Sequence, residues 1–375
     1  MCHKNYFFAP LVLLFLLTAC VDMSRSKGIQ ETGEVDKMTP LYAKGFRVIN
    51  ENGERILQIM NPWNQEQVLQ ELNIFSNSIF FKQFQMEVPK PVNRVVALSS
   101  TQWSAFERMN GLGVVVGISE SNFVRSEAMR NYIREGLTID VGKHGSYKPE
   151  LLIQLEPEMV IYSPESGGAV ASLTETGLPL LAWPDYFETD PLGRAEWIKL
   201  AGILLDKEQE AYAIFDSIED SYNNYRSLAS QVKHKPLIFA DKSFSGQWYV
   251  PGGKSYMAKL FEHAGATYIW SDNTSTASFS VDMESVISRA WEADFWRIAH
   301  AAPYGYSKAE LINENPIYAQ FKAFKKDRII FCNTASTGYF EKGPYEPHLI
   351  LADLIHFLHP ELLTDYQPKY HQLLD

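Results

Sequence analysis

The stretch DKEQEAYAIFDSIEDSYNNYRSLAS, residues 206–230, decides how the rest of the chain is read. Ala211, Ile214, Phe215, Ile218, Tyr222, Tyr225 and Leu228 recur at intervals of three and four, which draws one apolar stripe down a helix. No Gly or Pro interrupts it. Asp206 stands where a side chain can accept the orphan N–H groups of a first turn, with Gln209 three residues on in a variant of the capping box. At 1.5 Å per residue the helix would be roughly 37 Å long, about the width of a small domain. Segments of alternating strand and helix character lie on both sides. The stretch therefore reads as a rigid strut between two lobes, with a ligand bound in the cleft between them.

Upstream, residues 94–98 read as a buried strand and residues 101–109 as a helix. Strands at 114–118, 159–162 and 180–183 and a short helix at 149–155 continue the pattern, and residues 192–205 form an amphipathic helix leading into the strut. Short β-rich runs separated by helices indicate mainly parallel strands with crossover connections. Downstream, strands at 237–240, 294–298 and 328–331 alternate with helices at 256–264, 283–289 and 349–358. Before the first lobe, Asn52-Gly53 between two β-rich runs is a hairpin signal, and a Phe-rich segment, residues 73–88, adds another strand. The fold class is α/β: two Rossmann-like lobes joined by one long rigid helix, with an N-terminal β-hairpin embellishment. Ligands of such sheets meet the loops at the carboxyl ends of the strands, and here those loops are rich in hydroxyls, aromatics and Gly.

The net charge of −11 argues against nucleic acid or an anionic membrane surface as partner. At the N-terminus, Lys4 precedes an apolar run, residues 6–17, that is too short to span a bilayer comfortably. The run ends in Leu17-Thr18-Ala19-Cys20, which resembles a bacterial lipobox and implies cleavage before Cys20 and lipid on its thiol. Cys2 would leave with the signal, so Cys332 has no intrachain partner and neither a disulfide framework nor a Cys-rich metal site is expected. The expected organisation is a signal peptide over 1–19, a flexible tether over 20–40, and an N-terminal lobe with the added hairpin over 41–190. Connecting helices with the strut follow over 191–232, and a C-terminal lobe over 233–375.

The blocks along the chain resemble the substrate-binding lipoproteins of ABC importers for iron-siderophores, haem and cobalamin. Residues 94–100 followed by 106–113 look like that family's opening strand and helix. Lys148-Pro149-Glu150-Leu151-Leu152, with residues 155–161 after it, resembles its glutamate-bearing helix and following strand. Residues 344–362 resemble its C-terminal signature. The likeness covers roughly residues 41–362, with the blocks in the family's order. It implies two lobes with little hinge motion, no enzymatic turnover, a monomer, and an inner-membrane permease with its ATPase as partners. It also implies docking through one acidic residue per lobe, here Glu150 and Glu284, although a glutamate in a first turn also suits the helix dipole. The cargo it implies is a ferric siderophore, with cobalamin or haem as alternatives and no intrinsic cofactor. Such chelates are large, partly apolar and often anionic, and suit aromatic walls with a few charge-assisted hydrogen bonds. The candidates on the first lobe are Trp103, Arg125, His144, Tyr147, Trp183 and Tyr186. Those on the second are Trp248, Tyr249, Tyr304, Tyr306 and Tyr339.

Rival readings have weaker support. Pro251-Gly252-Gly253-Lys254-Ser255 looks like the end of a phosphate loop, but Trp248 occupies the position that needs Gly, so a turn before the next helix is the better reading. Residues 117–121 end in Ser where a nucleophile elbow needs Gly. A bare metal ion would need His144, His300, Asp185 and Glu346 to converge, and haem would need Tyr147, His144, His300 or Tyr339 as axial ligand. A surface-anchored adhesin or structural lipoprotein is the alternative from another class.

Overall fold

The computed structural model describes residues 37–165 and 171–375. Residues 36–375 form one compact unit. The lipobox and Cys20 lie outside the described residues.

The first lobe is built on five parallel strands in the order Leu180–Ala182, Met159–Tyr162, Val95–Ala97, Val115–Ile118, Ile139–Asp140. The first four are the strands expected from the apolar runs. The fifth has only two half-buried residues, too few to leave a periodic signal. In the second lobe, Thr267–Tyr268, Leu237–Ala240, Phe295–His300 and Ile329–Asn333 run parallel, and Gln372–Leu373 closes the edge antiparallel. A small antiparallel sheet of Ser243–Phe244, Gln247–Val250 and Phe279–Val281 stands beside it.

The strut is a helix over Glu208–Ser230, roughly 35 Å long. Ala211, Phe215, Ile218 and Tyr222 of the expected stripe are buried, with Ile214 and Tyr225 packed at its margins. It lies against the helices Ile198–Leu204 and Pro347–Leu358. Gly202 permits the first contact, since a Cβ there would sit 2.4 Å from the Ala211 Cβ. The expected cap is corrected: Lys207 is the N-cap, with no side-chain cap, and Asp206 takes a left-handed turn at φ 55°. Its carboxylate pairs with Lys90 at 2.9 Å instead. The helix expected over 192–205 is two, Pro191–Glu196 and Ile198–Leu204, meeting at Trp197.

The N-terminal hairpin is also larger than expected. Phe46–Glu51 and Glu54–Asn61 pair across Asn52-Gly53, both at positive φ as a two-residue turn of this hand requires. Asn64–Ile74, Ser78–Phe81 and Met86–Pro89 extend the pair to a five-stranded antiparallel meander. Two buried carboxylates tie its leading segment to the lobe. Glu196 accepts from the backbone N–H groups of Leu41, Tyr42 and Ala43 at 2.8–2.9 Å. Glu188 accepts from those of Lys44 and Gly45 and from Trp197 Nε1. The meander's Gln70 donates to Leu180 O at 2.9 Å and accepts from Ala182 N–H at 2.8 Å, so one side chain continues the lobe's edge strand.

Candidate functional site

The strand-end loops of both lobes enclose a cavity of about 600 Å³. The first lobe contributes Ser99, Ser100 and Trp103 after one strand, Ser119 to Arg125 after the next, His144 and Tyr147 from a two-strand hairpin, and Ser163, Glu165 and Tyr186. The second contributes Thr334, Ala335, Gly338, Phe340 and Glu341 from the loop after Ile329–Asn333, with Ala301. This is the carboxyl-end face that parallel sheets offer to ligands.

Chain topology also fixes the chemistry of the walls. The helix Ser100–Arg108 starts at the cavity, and Ser99 with Gln102 forms its capping box. Its N-terminal end brings partial positive charge to the wall. Arg125 lines the cavity, and among the described residues its guanidinium has no hydrogen-bond or ion-pair partner. Two of the three lining carboxylates are engaged. Glu165 pairs with His144 at 3.1 Å. Glu341 reaches from the second lobe to accept from the backbone N–H groups of Arg125 and Ser126, the latter at 2.9 Å. Burial raises the Glu341 carboxyl above its ordinary value, against those two hydrogen bonds. Glu120 is exposed at the rim. Tyr147 lies 3.3 Å from His144 Nδ1, and burial with the charges of Glu165 and Glu120 pushes its phenol up to about 12.

Of the sequence candidates, Trp103, Arg125, His144, Tyr147 and Tyr186 come together on the cavity wall. The others do not. Trp183 and Trp248 are buried in the core, and Trp248 Nε1 donates to Ala240 O at 3.1 Å. Tyr249 is exposed on the central strand of the small sheet, away from the cavity, and Tyr304 is fully exposed on a loop outside it. Tyr306 stacks on Phe331 and donates to Glu314 at 2.7 Å. Tyr339 is buried beneath the Arg297 guanidinium, its ring centroid 5.3 Å away, while the next residue, Phe340, takes the wall position. Phe123 and Phe340, 70% and 58% exposed, are aromatic wall residues that sequence reasoning missed. Phe123 lies in the single 3-10 turn Ser121–Phe123 and Phe340 in the four-residue helix Tyr339–Lys342, each too short to leave a period that tells which neighbour faces inward.

The four residues of the metal-ion reading do not converge. His300 packs on Tyr306, Asp185 is buried near Arg194, and Glu346 is engaged by Arg108, Lys369 and Tyr370. Only His144 faces the cavity. Among the described residues no group of three His, Cys, Asp or Glu side chains is placed to hold a metal ion. The Pro251–Ser255 stretch is a turn, and Ser255 caps the helix Tyr256–His263.

Glu150 and Glu284 lie one on each lobe. Each is exposed in the first turn of a short helix, Pro149–Gln154 and Met283–Ala290. Neither carboxylate has a hydrogen-bond or ion-pair partner among the described residues.

Comparison with known proteins agrees with this architecture. An uncharacterised lipoprotein of Methanocaldococcus jannaschii is 29% identical over 351 residues, covering 85% of this chain and 81% of the relative. The solved structure of a periplasmic haem-binding protein from Pseudomonas aeruginosa superposes with a TM-score of 0.59 at 16% identity, covering 76% of this chain and 98% of that one. An ABC-type Fe3+-hydroxamate transport system protein from Saccharomonospora viridis gives 0.54 at 18% identity, covering 73% and 96%. At these identities the structural likeness is one of fold. The sequence model of the family described as periplasmic binding protein matches residues 95–335, well over half of the chain, and this protein belongs to that family.

Proposed function

We propose that this protein captures a ferric siderophore in the inter-lobe cavity and delivers it to an inner-membrane ABC permease. The observation that carries the reading is the cavity itself. About 600 Å³ lies within the roughly 300–1,000 Å³ usual for small-molecule sites and suits a compact chelate, whereas an entire corrinoid would have to project past the rim. The uncommitted Arg125 and the N-terminal end of the Ser100–Arg108 helix favour an anionic portion of the ligand, and Glu120 favours a hydrogen-bond donor. One fold neighbour is named for Fe3+-hydroxamate transport and another for haem binding. For haem, Tyr147 and His144 are the wall residues whose side chains could supply an iron ligand.

On this reading the protein works by binding and release. Glu150 and Glu284 are the docking contacts for the permease, one per lobe, and Cys20 carries the lipid that holds the chain at the membrane. Equilibrium titration of the protein with ferric siderophores, cobalamin and haem tests the cargo. Saturable binding of a ferric siderophore at submicromolar concentration supports the reading, and saturation by haem or cobalamin alone replaces it.

A further inference from the structure

The N-terminal meander touches an aromatic pair beside the cavity. Its Asn61–Asn64 turn carries Pro62 and Trp63, and the Trp63 ring meets Phe187 edge-on at a centroid distance of 5.3 Å. Phe187 in turn lies 4.2 Å from Tyr186, whose ring is on the cavity wall and whose hydroxyl donates to Pro164 O at 3.0 Å. Three rings from two elements thus touch in series, Tyr186 on the cavity wall, Phe187 half-buried beside it and Trp63 edge-on to Phe187. Trp63 and Tyr186 are both 46% exposed, so the surface is open to a ligand. It is also held in place. Gln70 binds the meander to the strand that precedes Tyr186, and Glu188, immediately after Phe187, holds the backbone at Lys44 and Gly45. A shelf fixed in advance loses little freedom when something stacks on it.

We propose that Trp63, Phe187 and Tyr186 form an accessory subsite for a flat aromatic arm of the ligand, extending past the rim a cavity that holds the ligand's body. The inference rests on the reading of the cleft as a chelate site, and it adds a specificity: ligands with aromatic arms gain from the shelf, and aliphatic ones do not. Trp63 offers the largest ring of the three, and ring–ring contacts add to affinity beyond the area they bury.

The test compares a ferric tris-catecholate complex with a ferric tris-hydroxamate complex, both titrated into the full-length chain in mild detergent. Trp63→Ala is expected to weaken catecholate binding by roughly three- to tenfold and leave hydroxamate binding unchanged, with Trp63→Phe restoring most of the loss. The substitution removes no charge, so a selective loss reports ring contact. Equal weakening for both complexes assigns Trp63 to scaffolding and overturns the subsite, as does unchanged catecholate affinity. Binding of the hydroxamate complex alone by the wild-type protein also overturns it while leaving the cleft's role standing. Failure of the wild-type protein to bind either complex removes both readings. Should Trp63→Ala not fold, Trp63→Leu keeps apolar packing on Phe187, removes the π face and carries the same comparison.

Discussion

Arg125 and Glu341 meet at one backbone position and have opposite tasks. The Arg125 main chain is held by the Glu341 carboxylate, while its guanidinium lines the cavity with no partner among the described residues. Charge-assisted hydrogen bonds are worth about 1.5–3 kcal/mol. Arg125→Ala is therefore expected to weaken an anionic chelate by roughly ten- to a hundredfold in a binding titration, with the melting temperature unchanged. Glu341→Ala should act the other way round. It leaves the Arg125 and Ser126 N–H groups without their acceptor, at about 1–3 kcal/mol for each buried group, and lowers the chemical-denaturation midpoint. Residue type and loop position made Arg125, His144 and Tyr147 legible in sequence. They failed for Trp183 and Tyr339, because a bulky aromatic at a strand end serves the core as well as it serves a cleft. Only the backbone direction separates Tyr339 from Phe340.

Elements with a period were read closely. The strut's stripe, the parallel strands and the Asn-Gly hairpin all stand where periodicity and turn chemistry put them. The two-residue strand Ile139–Asp140 and the meander's long strand Asn64–Ile74 were not legible, and the one strand expected over residues 73–88 is two, Ser78–Phe81 and Met86–Pro89, since their register is set by tertiary pairing. Asp206 was misread as a cap because a salt bridge to Lys90 competes for its carboxylate. The carboxylates that anchor the meander were invisible too, since their partners are backbone groups some 150 residues away. Glu188→Ala removes the acceptor for two backbone N–H groups and Trp197 Nε1. Hydrogen exchange should then quicken over residues 41–46 while the second lobe keeps its protection.

Helix packing also sets a pH dependence. His263, on the helix Tyr256–His263, accepts or donates at 2.7 Å with Tyr222 of the strut, and His348 sits in the first turn of the closing helix. Burial, with Arg226 adding to it for His263, holds each imidazole down at about 4. The unfolded chain therefore binds more protons than the folded one between about pH 6.5 and pH 4, so stability is lost as pH falls through that window. Burial opposes the charged form of Glu346, but Lys369, Tyr370 and Arg108 outweigh it and hold the carboxyl below its ordinary value, which adds a loss at still lower pH. Glu188 and Glu341, raised by burial, act in the opposite sense and moderate the slope. The denaturation midpoint is expected to fall from pH 6.5 to pH 4, and His263→Phe with His348→Phe should flatten that slope. An unchanged slope in the double variant would place the sensitivity elsewhere.

At the scale of the molecule, the lobes are linked by more than the strut. Ser104 Oγ donates to Glu341 O at 2.6 Å, Tyr345 donates to Thr101 O at 2.9 Å, and Arg108–Glu346 and Lys259–Asp190 are ion pairs at 2.9 Å. Each joins the two lobes, and together with an uninterrupted helix they limit hinge motion. Ligand binding should change the radius of gyration measured by solution scattering by no more than a few tenths of an ångström. The docking proposal for Glu150 and Glu284 is tested at this scale. Reversing both charges, Glu150→Lys with Glu284→Lys, is expected to abolish uptake in cells while ligand affinity stays at the wild-type value. Loss of affinity in the purified double variant would sink the docking assignment.

A metal chelate bound in the inter-lobe cavity would be reported by tryptophan fluorescence, because Trp103 lines that cavity. The full-length chain in mild detergent would be titrated with ferric siderophores, cobalamin, haem and Zn²⁺, alongside Arg125→Ala. Saturable quenching by a ferric siderophore at submicromolar concentration, weakened in the variant, is the expected outcome. A response to Zn²⁺ alone, or none across the panel, would contradict it.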